Sequence, residues 1–117
     1  LNRRIEMSAG IYNISLEQGT TFSLPLEVSQ SNGTPLNLTG YLKRGMIRPT
    51  TTSTVKYADF TISGSVDVSG SFNANLSSFV TANIPTGTSY YDIEIESAGV
   101  VTKLLRGSIT TIGEVTR

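Results

Sequence analysis

The sequence predicts an all-β fold, an antiparallel β-sandwich of about seven or eight short strands in an Ig-like or jelly-roll-like arrangement. Apolar and polar residues alternate with a period of two over residues 12–16, 20–28 and 91–95, which is typical of half-buried strands. Charged residues make up only 15% of the chain, and abundant Ser, Thr, Asn and Gly favour strands and turns over long helices. We expect one domain over residues 1–117, because this length suits a single core.

Two strands are expected before residue 30. Residues 12–16 form the first, Gln18-Gly19 turns the chain, and residues 20–28 form the second. Pro25 lies inside the second strand and has no N–H to donate to a neighbouring strand. It therefore predicts an edge strand or a bulge.

The middle of the chain begins with a turn over residues 31–35, where Asn32-Gly33 is a strong hairpin signal. A strand over residues 41–48 follows. Its alternation is poor, and Gly45 indicates either a bulge or the close approach of another backbone.

Beyond this strand, Phe60 and Ile62 mark the centre of another one. Residues 77–83 predict one or two helical turns, and Ser77 or Ser78 is the expected N-cap, because a serine hydroxyl can accept a hydrogen bond from a free backbone N–H of the first turn.

The clearest element is a hairpin over residues 90–112. Tyr91, Ile93 and Ile95 alternate with three carboxylates, and residues 97–99 turn the chain. The carboxylates are Asp92, Glu94 and Glu96. Three carboxylates on one face could bind Ca²⁺, which takes about 6–8 oxygen ligands. No calcium-loop pattern accompanies them, so the sequence favours a solvated outer face beside the buried row.

Composition restricts the possible chemistry. The chain has no Cys and no His, which excludes disulfides and removes the commonest general base and zinc ligand. Nine basic and nine acidic residues cancel, so no electrostatic footprint for nucleic acid is expected. No apolar run reaches the length of a membrane span, and no apolar segment that would make a secretory signal follows Arg3-Arg4. We expect no enzyme, no catalytic residues, no cofactor and no metal site.

Two sets of residues leave binding functions open. Lys43, Arg44 and Arg48, with Tyr41 nearby, form the densest basic cluster. They could contact nucleic acid or an acidic partner, although zero net charge favours ordinary exposed charges on a strand. Tyrosines could stack on carbohydrate, although cross-strand packing is their commoner use in strands. The tyrosines are Tyr12, Tyr41, Tyr57, Tyr90 and Tyr91.

Two segments resemble small domains of phage tail proteins. The first resembles their "D-L-T-G … I-R" element, with Asn37 where the pattern often has Asp; it comprises Asn37-Leu38-Thr39-Gly40-Tyr41 and Met46-Ile47-Arg48. The second resembles their closing hairpin and comprises Tyr91-Asp92-Ile93-Glu94-Ile95, Gly99-Val100-Val101, Leu104-Leu105-Arg106-Gly107-Ser108-Ile109 and Glu114-Val115-Thr116-Arg117. The chain is similar to the N-terminal domain of phage baseplate upper proteins and to related β-sandwich domains of virion proteins. Residues 49–75 lie outside the likeness.

The resemblance implies a structural virion protein of a bacteriophage that acts by assembly in the tail, baseplate or neck. Its partners would be other virion structural proteins, in multiple copies within a symmetric particle assembled in the host bacterial cytoplasm. The strand containing Pro25 and the tail over residues 113–117 are candidate contacts. The alternatives are a capsid decoration protein and a carbohydrate- or receptor-binding module of a tail fibre.

Overall fold

The computed structural model describes residues 3–6, 10–30 and 33–113. These residues form two packed sheets, which confirms the all-β sandwich. The strands are β1 (Arg3–Glu6), β2 (Gly10–Ile11), β3 (Ile14–Glu17), β4 (Phe22–Ser29), β5 (Leu42–Arg48), β6 (Ala58–Asp59), β7 (Thr61–Val66), β8 (Ser71–Leu76), β9 (Gly87–Ser97) and β10 (Val100–Ile112). The helical elements are a 3₁₀ turn over Asp67–Ser69 and the short helix α1 (Ser78–Ala82).

The two sheets are mostly antiparallel and contain three parallel pairings. The first sheet has the order β1-β4-β8-β7, and the second has the order β2-β10-β9-β5-β6, with β3 also paired to β10. β1 runs parallel to β4, and both β2 and β3 run parallel to β10. Because β2 and β3 are successive partners of one strand, they extend the second sheet along β10.

The edge prediction for the strand containing Pro25 is wrong. β4 lies between β1 and β8 in the first sheet. The pairing with β1 begins at Leu26 and continues to Ser29, so Pro25 lies one residue before it. The alternation of β4 showed which side chains share a face, but it carried no information about a partner strand near the N-terminus.

The core lies between the two sheets. The row predicted from the hairpin is buried, with Tyr91 4% exposed and both Ile93 and Ile95 fully buried. Phe72 on β8 faces them from the first sheet and is 1% exposed. The ring of Phe60 packs edge-on against Tyr91, with a centroid separation of 5.9 Å.

Two local predictions are confirmed. A Cβ at Gly45 would lie 2.9 Å from the Asp92 carbonyl oxygen and 2.9 Å from the Phe60 ring, so this glycine permits a close approach. At α1, the Ser77 hydroxyl accepts a hydrogen bond of 3.2 Å from the Val80 N–H, which makes Ser77 the N-cap.

Thr111 on β10 carries a buried hydroxyl that offers a test of the core. Its side chain is 3% exposed, and its Oγ1 has no hydrogen-bond partner among the described residues. Because an unpaired buried hydroxyl costs about 1–3 kcal/mol, we expect Thr111→Val to raise the free energy of unfolding by about 1 kcal/mol. Thermal unfolding should show a midpoint about 4 °C higher.

The matched control is Thr110→Val, one residue earlier on the exposed face of the same strand. It should change stability by less than about 0.5 kcal/mol. Equal effects of the two substitutions would contradict the assignment of Thr111 as an unsatisfied core group.

Candidate functional site

The outer face of the second sheet carries a network of ion pairs across three strands. Arg44 on β5 and Lys103 on β10 both lie directly opposite Glu94 on β9. Arg44 Nε donates to Glu94 at 2.6 Å, and its Nη2 lies 2.7 Å from a Glu96 oxygen. Lys103 Nζ lies 2.8 Å from Asp92 and also pairs with Glu94. We call these five residues the ion-pair ladder.

The ladder gives the three hairpin carboxylates a structural role. Asp92, Glu94 and Glu96 each accept from Arg44 or Lys103. Within residues 3–6, 10–30 and 33–113, no cluster of three or more His, Cys, Asp or Glu side chains is placed to hold a metal ion. The carboxylate row is therefore an outer face that is charge-paired across neighbouring strands.

Burial and ion pairing shift the pKa of Glu94 in opposite directions. Desolvation raises the pKa of its carboxyl, but the hydrogen bonds from Lys103 and Arg44 outweigh it and hold this pKa below 4.5. Desolvation likewise lowers the pKa of Lys103, and its hydrogen bonds with Asp92 and Glu94 reverse the direction and raise it. The pKa of Arg44 is raised by its hydrogen bonds to Glu96 and Glu94.

A lowered Glu94 pKa makes stability depend on pH in a defined direction. The contribution of the ionised carboxylate is present above the unfolded pKa and is lost as pH falls through the folded value, which lies below 4.5. We expect Glu94→Gln to lower the free energy of unfolding by about 1 kcal/mol at pH 7, because solvent screens the half-exposed partners Arg44 and Lys103. Urea denaturation at several pH values should show that the difference in unfolding free energy from the native chain shrinks as the pH falls well below 4.5.

Glu17→Gln is the control, because Glu17 is exposed and forms no ion pair among the described residues. It should change stability by less than about 0.5 kcal/mol at every pH. If the deficit of Glu94→Gln is the same at neutral and strongly acidic pH, the effect comes from packing and not from charge.

A cleft of about 580 Å³ lies over the ladder on the same face, and four of the five ladder residues line it: Arg44, Asp92, Glu94 and Lys103. Strands β5, β9 and β10 form its floor, and residues 50–51 of the following loop form one wall. The side chains that give it chemical character are Met46, Arg48, Thr50, Tyr90, Asp92 and Arg106. The volume falls within the usual range of ligand clefts, about 300–1,000 Å³.

Two guanidinium groups of the cleft have no carboxylate partner among the described residues. Arg48 lies opposite Tyr90, and its Nη1 donates to the Ser53 carbonyl oxygen at 3.2 Å, which ties the loop to β5. Arg106 lies opposite Asp92. Its exposed side chain makes no ion pair or hydrogen bond within the described parts of the chain.

The structure divides the predicted basic cluster. Lys43 points away from the cleft and pairs with Asp67 at 3.0 Å. Arg44 and Arg48 both line the cleft, and Arg44 also belongs to the ladder. The sequence reasoning missed Arg106. Arg106 lies on the outer face because the pairing register shifts between Lys103 and Leu105. A strict alternation with a period of two does not predict this shift.

The five tyrosines do not form one surface. Tyr91 is buried and donates its hydroxyl to the Tyr12 carbonyl oxygen at 2.6 Å. Tyr12 and Tyr41 pack partly buried against the core. Tyr57 is 36% exposed outside the cleft, and Tyr90, 38% exposed, lines it. The cleft therefore contains a single exposed aromatic ring.

Residues 114–117, most of the predicted tail contact, lie outside the described residues. Among those that are described, no helix has both the length and the apolar character needed to cross a bilayer.

Comparison with solved structures finds a fold match that spans almost the whole chain. The N-terminal domain of phage TP901-1 ORF48 superposes with a TM-score of 0.57 over 94% of this chain and 97% of that chain, at 11% sequence identity. This likeness shows a shared fold. No protein-family model matches the sequence, and no curated protein matches it.

Proposed function

We propose that this chain is a structural component of a bacteriophage particle and acts by assembly in the tail, the baseplate or the neck. The observation that carries the proposal is the fold shared with the N-terminal domain of phage TP901-1 ORF48 over nearly the full length of both chains. A match of this extent supports a common domain and not a common fragment. The sequence resemblance of the closing hairpin points to the same group of phage domains.

The surface of the sandwich suits contacts with other proteins. Exposed apolar side chains lie near the turn of the β9–β10 hairpin: Leu42 on β5 is 62% exposed, and Val100 and Val101 on β10 are 67% and 46% exposed. Stable interfaces bury about 800 Å² on each partner, so a few such side chains supply part of a contact that repeated copies complete. We propose other virion structural proteins and further copies of this chain as partners, in particles built in the bacterial cytoplasm. The proposal includes no catalysis, cofactor or nucleic acid.

A receptor- or carbohydrate-binding module of a tail fibre is the second candidate. The half-exposed Tyr90 in the cleft favours it, because aromatic side chains with a polar tip suit binding surfaces that are partly wet. This candidate requires the isolated domain to bind a host-surface saccharide, whereas a structural role in assembly does not require saccharide binding.

Deleting the chain from the genome that encodes it tests the proposal. Electron microscopy should then show particles with intact heads whose tail, baseplate or neck is missing or incomplete. Complete particles that fail only to adsorb would favour the fibre module, and unstable heads would favour a capsid decoration protein. Complete and fully infectious particles would contradict all three.

A further inference from the structure

We propose that the cleft docks a carboxylate side chain from an acidic segment of a neighbouring virion protein. The inference rests on the proposed function and deepens it, because it names the docking surface and the chemistry of the partner. The contact would join the partner's carboxylate to the free guanidinium of Arg106, with Arg48 as a second positive group.

Charge is the first support. Around the cleft and the ladder, the outer face has four cations and three carboxylates. All three carboxylates are engaged by Arg44 or Lys103. The outer face therefore keeps one net positive charge, and Arg106 forms no ion pair with a described carboxylate. A partner that supplies a carboxylate would form an ion pair with Arg106.

Geometry is the second support. Arg48 and Arg106 lie on β5 and β10, the two strands that flank β9. Arg48 lies opposite Tyr90, and Arg106 lies opposite Asp92, two residues further along β9. With strands about 4.7–4.9 Å apart and a rise of about 3.4 Å per residue, the two backbone positions are about 12 Å apart. The Arg106 guanidinium presents a planar set of donors that matches the two oxygens of a carboxylate. Arg48 already donates from Nη1 to the Ser53 carbonyl oxygen and from Nη2 to Met46 Sδ, so it contributes chiefly its positive charge.

The apolar neighbours favour a polypeptide over a saccharide. Ile11 on β2, opposite Arg106, is 68% exposed. Met46 and Tyr90 line the cleft on the other side. Arg, Tyr and Met are among the side chains enriched at protein interfaces. An acidic residue flanked by an apolar one fits this mixture, whereas stacking of several sugar rings would require more than one exposed aromatic.

Solution NMR of the domain tests the chemistry of the cleft directly. The probe is a capped glutamate-leucine-glutamate tripeptide, compared with the matched glutamine-leucine-glutamine peptide. The acidic peptide should shift the backbone amides of Arg48, Tyr90 and Arg106. Its affinity should exceed that of the glutamine peptide roughly fivefold or more, because hydrogen bonds between charged groups are stronger than neutral ones.

Arg106→Gln should lower the affinity of the domain for the acidic peptide roughly fivefold or more. Lys56→Gln is the control, since it also removes one positive charge, but one that Asp59 already neutralises at 2.9 Å. Both variants should unfold at nearly the native temperature. Unchanged affinity in Arg106→Gln, or equal affinity for the two peptides, would overturn the inference.

Two other occupants give different results, and both overturn the proposal. If methyl glucuronide shifts the same amides and the acidic peptide does not, the ligand is a saccharide. If Arg106→Gln abolishes self-association of the domain and has no effect on peptide binding, the occupant is a second copy of this chain.

Incorporation into particles separates this inference from the proposed function. Arg106→Glu should reduce the amount of the chain in purified particles roughly tenfold, since a like charge then faces the acidic partner. Lys56→Glu should incorporate normally. If Arg106→Glu incorporates as the native chain does, the docking surface is wrong and the structural role stands. If the native chain itself is absent from particles, the structural role fails, and the peptide titration still tests the cleft.

Discussion

Phe72→Ala should lower the free energy of unfolding by about 3–5 kcal/mol, the usual cost of removing a buried phenylalanine. Phe72 is 1% exposed and lies opposite Leu26, itself 1% exposed, in the middle of the first sheet. The substitution removes apolar surface and leaves a cavity that the two packed sheets cannot close. A domain of this size has a total stability of about 5–15 kcal/mol, so the loss is a large part of the whole.

Phe79→Ala is the matched control. Phe79 lies on α1 and is 78% exposed, so the same chemical change should cost less than about 0.5 kcal/mol. Urea denaturation at neutral pH measures both, with the slope of each transition compared with that of the native chain. A small loss for Phe72→Ala with an unchanged slope would contradict the packing described for the core.

Gly107→Ala should lower stability by about 2–4 kcal/mol, from overpacking and lost hydrogen bonds. A Cβ at this position would lie 2.1 Å from the Tyr12 carbonyl oxygen. The Tyr12 N–H donates to the Arg106 carbonyl oxygen at 2.9 Å, and the Ser108 N–H donates to Asn13 Oδ1 at 3.1 Å. The segment between β2 and β3 must move away, and these bonds would be lost with it.

Gly10→Ala tests the same region without the clash. Its Cβ would meet Leu105 Cδ1 at 3.5 Å, an ordinary contact, so stability should stay within about 0.5 kcal/mol of the native value. Hydrogen exchange gives a local readout, because the amides of Tyr12 and Ser108 should lose protection in Gly107→Ala and keep it in Gly10→Ala. Equal stability and equal protection in the two variants would disprove the close approach.

Local features of the fold could be predicted because their physical cause is local. The period of two in residues 91–95 identified the buried face of β9, since successive side chains of a strand point to opposite sides. Ser77 was a candidate cap because its hydroxyl can reach an N–H of the next turn. Gly45 indicated a bulge or a close approach, because a glycine inside a strand is typical of either, and the structure shows the close approach.

Pairing between distant segments could not be predicted in the same way. Alternation does not encode the direction of the partner strand, so the parallel pairing of β2 and β3 with β10 was not expected. The bulge after Lys103 had a larger effect on the site. Leu104 and Leu105 are both fully buried, which turns Arg106 to the same outer face as Lys103. Strict alternation would have placed Arg106 in the core.

The network of charges also depends on register. The sequence showed three carboxylates on one face, but their partners Arg44 and Lys103 come from two other strands. Only the pairing of β5 and β10 with β9 brings both cations opposite Glu94. The hairpin sequence alone therefore could not show that these carboxylates pair with cations, because Arg44 comes from β5.

Quantitative mass spectrometry of purified particles tests the structural role most directly. The particles are those released by cells that carry the gene, and the measurement counts peptides from residues 10–113 against a known virion protein. We expect a constant number of copies per particle that is a multiple of the rotational symmetry of the tail, baseplate or neck, as closed assemblies require. Absence of these peptides from infectious particles, with the chain abundant in the lysate, would contradict a structural role.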